Sequence, residues 1–460
     1  MTNQQPSPSK ARIEEAILYS HDRTVSVPID GITTEINFSQ SLEASAFLGS
    51  IKIQDNIGIL ENFPLRGEER LKLTIVANDD INNKRKFDLQ IYRIDNITTN
   101  EANDGVNYYM HFVSKISFEA SKRRVIESLR VNGEYPTASL AAKRIFSKYF
   151  KRISIEREVS LPFRGARFSI QDSERNFIIQ PTDTQLRGII PRYTPTEAMY
   201  FLSTRAFIND QGFTSCSFRF FETFDDFYFV SDEYLIKYAV TQNEVIQLFY
   251  APQVSKDSRD TEQQINTIER IDYPVRVDSA MDMYSGGYSN SVLEIDFMRR
   301  AFRQRYFNYL EDTRERPFLD MQGLPRTTEA SIHTERYMQD TFTEENARRF
   351  HIYRDYAQPG DIRGELAADQ YLAEIVSRRT AYQHHLNATS INVAMKGRLD
   401  IRPGNVINLE VVGLSADSER RRNPQLSGNY LVYSAEHSFK LSQGEDIFTN
   451  LRLSKYDWSI

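Results

Sequence analysis

From Gly49 to Ile75 the chain reads GSIKIQDNIGILENFPLRGEERLKLTI. Ile51 and Ile53 alternate with Lys52 and Gln54, a turn-rich link follows, and Leu65, Arg66 and Gly67 lead into Leu71, Leu73 and Ile75. Such period-two alternation predicts strands with one buried face. A looser copy, INVAMKGRLDIRPGNVINLEVV, runs from Ile391 to Val412: Ile391 and Val393 alternate with polar neighbours, and Ile401, Arg402, Pro403 and Gly404 lead into Ile407, Leu409 and Val411. After the glycine the register differs by one residue. Each copy is followed by a hairpin pattern, FDLQIYRIDNI with VNYYMHFVSKI and NYLVYSAEHSF with DIFTNLRLSKY, and both second strands end in Ser-Lys, at Ser114-Lys115 and Ser454-Lys455. The echo predicts one small antiparallel β-barrel built twice. Unrelated antiparallel barrels also combine alternation with turn glycines, so the pattern favours duplication without requiring it.

The rest of the chain divides around these copies. Residues 1–10 read as a flexible arm. Residues 11–118, all strand and turn, form the first barrel. A mixed α+β unit is expected over 119–273: Thr137 caps a helix with Leu140, Ile145, Phe146 and Tyr149 on one face, and RISIERE is a strand. A poorly patterned polar stretch then runs from Gln171 to Arg187. Next, Thr194 with Glu197 makes a capping box with Pro195 at the first helical position and Met199, Leu202 and Ala206 on the buried side. SCSFRFFE and DFYFVSD follow as two strands joined at Thr223 to Asp225. The second barrel is read as discontinuous, 274–312 with 387–460, because SNSVLEIDF and RQRYFNYLED look like one of its hairpins. Between them, 313–386 is an insertion: a polar, Arg-rich run to Gly360, then a helix with Leu372, Ile375, Val376, Arg379, Tyr382 and Leu386 at spacings of three and four. The predicted class is therefore β-rich α+β, two related antiparallel barrels carrying an inserted mixed domain and a helical, irregular insertion.

A chain of 460 residues is too long for one core. Its 57 basic and 63 acidic side chains give a net charge of −6 with the signs interspersed, which argues against a dedicated nucleic-acid binder. The single cysteine, Cys216, excludes an intrachain disulfide and any multi-cysteine metal site, as expected for assembly in a reducing cytoplasm. The opening MTNQQPSPSKARIEE lacks the apolar run of a secretory signal, and no stretch approaches the ~20 apolar residues of a membrane span. The glycosylation-type triplets at Asn37, Asn96 and Asn387 then read as chance matches. Aromatic content is high, with 29 Phe and 25 Tyr against one Trp, which suits sheets and subunit contacts.

Catalytic patterns are missing. There is no phosphate-cradling glycine loop, His-Glu-x-x-His helix or Gly-x-Ser-x-Gly elbow. Among His21, His111, His333, His351, His384, His385 and His437 no two are four apart, and adjacent His384 and His385 diverge by ~100° on a helix, a solvated helix end rather than a metal pair. Cys216 shares a strand face with Phe218 and Phe220 and reads as a small buried hydrophobe. The Arg420, Arg421, Arg422 run follows Asp417 and Glu419 and reads as a polar loop. With 63 acidic residues some carboxylate pair will meet in space by chance, so that signal has little weight. No residue is assigned a catalytic, cofactor-binding or metal role, and no cofactor is expected.

FLGSIKIQDNIGILENFPLRGEERLKLTI, IIPRYTPTEAMYFLSTRAF with FFETFDDFYFVS, and RRTAYQHHLNATSINVAMKGRLDIRPGNVINLEVV with LSGNYLVYSAEHSF resemble baseplate hub proteins of contractile-tailed bacteriophages. The resemblance implies a homotrimer whose two tube-type barrels per chain make a pseudo-sixfold ring between a sixfold tail tube and a threefold central spike. It implies as partners further copies of the chain, the spike protein, a tube or tube-initiator protein and neighbouring baseplate proteins. DNA would pass through the channel without specific binding, and the location would be the virion tail, assembled in the host cytoplasm. A DNA conduit should avoid a lumen dense in Lys and Arg. The 313–360 segment has no counterpart in the family pattern and is expected at the periphery. Two other readings stand beside this one: a tail-associated cell-wall hydrolase, and the equivalent hub of a phage-tail-like injection system.

Overall fold

The computed structural model describes residues 10–77, 84–100, 105–130, 135–161, 164–183, 185–186, 189–210, 213–250, 266–275, 286, 289–296, 300–308, 348–354, 368–388, 390–412, 423, 426–441 and 446–456. Thirteen strands make one continuous sheet. In its N-terminal half Thr33–Ser41, Leu48–Asp55, Gly105–Ser114, Lys84–Asn100, Arg70–Ala77 and Ala11–Tyr19 lie side by side in that order, with short Ser26–Pro28 at the edge. The C-terminal half runs Ile268–Val275, Ser390–Lys396, Asp446–Lys455, Gly428–Lys440, Val406–Val411 and Ile246–Tyr250. Taken in chain order, the two sets are permuted in space in the same way. The strand of each alternating copy pairs with the second strand of its hairpin, and the strand after each turn glycine pairs with the first. One outer pairing differs: Ile246–Tyr250 runs parallel to Val406–Val411, whereas Ala11–Tyr19 is antiparallel to Arg70–Ala77.

Alternation sets the cores. Ile51, Ile53, Leu71, Leu73 and Ile75 are all buried in the N-terminal core with Tyr108, Met110 and Phe112, and Ile391, Val393, Ile407, Leu409 and Val411 are buried in the C-terminal one. Burying one side chain of this size contributes ~1.5–3 kcal/mol, so these ladders hold each half together.

The β-rich α+β class predicted from the pattern is what the chain forms, but among the described residues the ladders run on as one sheet rather than as two separate closed barrels. The reason is the long strand Gly428–Lys440. Its first residues pair with Val406–Leu409 of the C-terminal half, and Ser434–Lys440 then pair with Glu35–Ser41 of the N-terminal half, so a strand edge that could close one half joins it to the other. Among the described residues a single bridge, Lys10 to Asp446, also joins the halves, and another, Phe249 to Thr267, joins the two outer strands of the C-terminal half to each other.

The middle unit is built on a second sheet, ordered Phe218–Glu222, Asp226–Ser231, Asn176–Ile179, Gly165–Ile170 and Ile153–Leu161. Helices Ala138–Ile145, Pro195–Ser203 and Asp232–Gln242 accompany it. The capping box at Thr194 and Glu197 is present with Pro195 at the first position, and Met199, Leu202 and Ala206 are all buried. Thr137 caps its helix by accepting from the Leu140 N–H. Leu140 itself, expected on the inner face, is 53% exposed, because Ala138, Ala141, Ala142, Ile145 and Phe146 define the buried stripe.

Several sequence assignments move. The stretch read as unpatterned contains Asn176–Ile179, a central strand of the middle sheet: Phe177, Ile178 and Ile179 are all buried, and a strand covered on both sides shows no alternation. Ile246–Tyr250 and Ile268–Val275, grouped with the 119–273 unit, pair in the large sheet instead. The hairpin assigned to the second barrel, now Ser289–Asp296 and Ala301–Asn308, forms its own three-stranded sheet with Arg348–Arg354, which pairs with it in parallel. That last strand comes from the polar, Arg-rich run; most of 313–360 lies outside the described residues. The predicted helix is Ala368–Ala388, with Ile375, Tyr382 and Leu386 buried.

Candidate assembly surfaces and the joint that holds them

The strand Gly428–Lys440 threads both cores. Tyr430 and Val432 enter the C-terminal core; a bulge between Val432 and Ser434 then keeps Ala435, His437 and Phe439 on the same side, and Phe439 lies in the N-terminal core. Leu431 and Tyr433, on the other side, belong to the core of the middle unit. One strand thus touches three cores, and His437 sits where they meet.

Into this joint the middle unit inserts the turn between Phe218–Glu222 and Asp226–Ser231. Phe224 packs among Phe38, Phe47 and Phe87 with ring centroids 5.2, 5.4 and 5.1 Å away, and lies 5.6 Å from His437. Its N–H donates to Gln40 Oε1 at 3.0 Å. The next residue, Asp225, accepts from Arg85 of the N-terminal half at 2.6 Å and from Arg402 of the C-terminal half at 3.1 Å. One carboxylate therefore ties the two halves through the middle unit. Behind it Arg175 donates to Glu222 at 2.6 Å, and Ser117 donates to the other oxygen of the same carboxylate at 2.6 Å. His437 is fully buried, with Nδ1 3.2 Å from Thr449 Oγ1. Burial, aided by Arg85, pulls its pKa down to about 4, so the imidazole is neutral at pH 7.

Away from Leu431 and Tyr433, the other face of the large sheet is mostly polar where the two halves join. One cross-strand row reads Lys396, Phe448, Ser438, Asn37, Ser50 and His111. Its centre is hydroxyl and amide, and in the next row Glu35 stands between Lys52 and Lys440 on the flanking strands. Glu35 thus separates the two lysines of its row, while Lys396 and Lys440 both lie over the Phe448 ring, at 5.6 and 5.2 Å.

Residues considered for chemistry are dispersed. Cys216 is buried with Phe207, Ile375 and Tyr382, and Phe218 and Phe220 are buried too. His21 pairs with Glu68 and His111 with Asp95, each at 2.9 Å. His384 is half-buried on the helix Ala368–Ala388. The Arg420 to Arg422 run and His333 lie outside the described residues. Among the described residues no group of three or more His, Cys, Asp or Glu could hold a metal, and no helix is long and apolar enough to cross a membrane. Sequence reasoning missed the Phe224 and Asp225 wedge; its only signal was an aspartate-rich turn after an aromatic strand.

No family model matches the chain, and no curated protein matches its sequence. Solved structures do. A tail protein from Neisseria meningitidis is 10% identical at a TM-score of 0.50, covering 97% of this chain and 95% of that one. The chain has a tail-protein fold. Two further structures align at lower scores: a 43 kDa prophage tail protein from Shewanella oneidensis (9% identity, TM-score 0.46, 96% and 98% covered) and an Escherichia coli component of the type VI secretion system (9%, 0.39, 97% and 77%).

Proposed function

We propose that the chain is a structural baseplate hub of a contractile phage tail, a homotrimer that adapts the sixfold tail tube to a threefold central spike. The observation that carries this reading is the repeated strand order on one continuous sheet. Two near-equivalent halves, joined by the shared strand and by the Phe224 and Asp225 wedge, let three copies offer six similar faces around an axis. The contacts would run head to tail, the N-terminal half of one copy against the C-terminal half of the next.

The polar sheet face lines the channel in this reading. Its serine and asparagine centre, with Glu35 set between two lysines, gives DNA few places where several phosphates are neutralised together, so the polymer slides rather than sticks. The partners are the chain itself, the spike, a tube-type protein and neighbouring baseplate proteins, and the role is structural rather than enzymatic.

Native mass spectrometry of the purified chain mixed with its spike tests the proposal. A complex of three copies with the spike supports it. A stable complex with one or two copies overturns it.

A further inference from the structure

A cavity of about 120 Å³ lies between the middle unit and the turn that leads into Val406–Val411. It borders the joint through Arg402 and is otherwise unused in the assembly reading above. Its apolar wall comes from Ile178, Leu235 and Pro403, and its polar wall from Arg167, Arg402, Tyr228 and Tyr234. The backbone is shaped around it. A Cβ on Gly165 would stand 2.3 Å from Tyr234 Oη, and Gly404, at φ +90°, would bring one to 3.2 Å from the Leu235 methyls.

The polar wall has donors to spare. Tyr234 is 3% exposed and its hydroxyl has no protein partner, and Arg167 Nε has none either. Arg402, 6.0 Å from the Tyr228 ring, uses one nitrogen on Asp225. Burial pushes the Tyr228 and Tyr234 phenols up from their ordinary value, so both are neutral O–H donors. On the acceptor side, the Asn405 side-chain oxygen is taken by the Arg402 N–H, which leaves the Glu244 carboxylate as the acidic group in the lining. The Tyr228 hydroxyl donates to Asp226 at 3.5 Å, so two guanidiniums and the one unmatched hydroxyl of Tyr234, in a half-enclosed space, are the setting for negative charge. The volume is well below the ~300–1,000 Å³ of pockets that enclose drug-sized ligands, which excludes a nucleotide and suits an ion.

We propose that this cavity binds one small tetrahedral oxyanion, of phosphate size, held by Arg167 and Tyr234 and attracted by Arg402. Bound there, it would pin the middle unit to the C-terminal half of the sheet. A carboxylate from a neighbouring protein's side chain presents similar chemistry, and acetate serves as its probe.

Isothermal titration of the full chain with sodium phosphate and with sodium acetate, at fixed ionic strength in chloride, distinguishes the two. The expected result is saturable binding of one phosphate per chain, tighter than acetate, weakened about tenfold or more by Arg167→Gln and by Tyr234→Phe. Tyr234→Phe removes only an oxygen that crowds Gly165, so it tests the site even if Arg167→Gln fails to fold. No binding of either anion, acetate binding as tight as phosphate, or unchanged phosphate affinity in a folded Tyr234→Phe protein overturns the proposal.

Discussion

Glu69 and Asn405 occupy equivalent places in the two halves of the sheet. The Glu69 carboxylate accepts from the Arg66 N–H, three residues back, and the Asn405 side-chain oxygen accepts from the Arg402 N–H, also three residues back, at 2.8 Å. Their backbone carbonyls then accept from the first hairpin strand, Glu69 from Ile91 at 2.8 Å and Asn405 from Val432 at 2.9 Å. Both turns pass through a left-handed glycine, Gly67 at φ +84° and Gly404 at φ +90°. Glu69 lies two residues after its glycine and Asn405 one, so the one-residue shift in the sequence echo is absorbed before the strand begins.

Removing the Asn405 side chain leaves one turn N–H without its acceptor, and removing that of Glu69 leaves two, those of Arg66 and Gly67. Glu69→Ala and Asn405→Ala are each expected to cost about 1–2 kcal/mol in urea unfolding. In the double variant the two losses should add, because the sites share no partner.

Phe224→Ala opens a cavity among four rings at the joint and is expected to cost about 3–5 kcal/mol. Asp225→Asn keeps the shape but removes the charge facing Arg85 and Arg402. Since Asp225 is 41% exposed, solvent screening limits that loss to about 1 kcal/mol. A double-mutant cycle of Asp225→Asn with Arg402→Gln, followed by denaturation, should show coupling.

Acid should loosen the joint. His437 is neutral in the fold with a pKa of about 4, below its ordinary 6.5, so the unfolded chain binds the proton first as pH falls. Its contribution is complete above pH 6.5 and is lost progressively toward pH 4, by an amount on the order of 3 kcal/mol. Comparing thermal melts of the parent and His437→Gln between pH 7.5 and 4.5 checks this. The variant's stability should fall less steeply with acid.

Gly49→Ala tests strand register. A Cβ there would lie 2.3 Å from the Asn37 carbonyl oxygen and from the Phe112 ring, between two paired strands with no slack. A loss of about 1–3 kcal/mol or more, or failure to fold, is expected on expression and thermal melting.

The one-sided strands were legible in the sequence. Ile51 with Ile53, Leu71 with Leu73, and Ile407 with Leu409 reveal their buried face by alternation, and the Thr194, Pro195 and Glu197 signature marks its helix as written. Asn176–Ile179 was not legible, because its apolar residues are covered on both sides and lose the period that identifies a strand. The hairpin from Ser289 had the right local pattern, but alternation says nothing about which sheet a hairpin joins. The joint was hidden for a related reason. Phe224 and Arg85 are 139 positions apart, and nothing local to either marks the other as its neighbour.

Cryo-electron microscopy of the assembled tail tip tests the central claim most directly. Three copies of this chain are expected around the axis, with the Thr33–Ser41 half and the Gly428–Lys440 half alternating at one radius to make six near-equivalent positions. A ring of six copies, or a trimer in which the two halves sit at different radii, would contradict it.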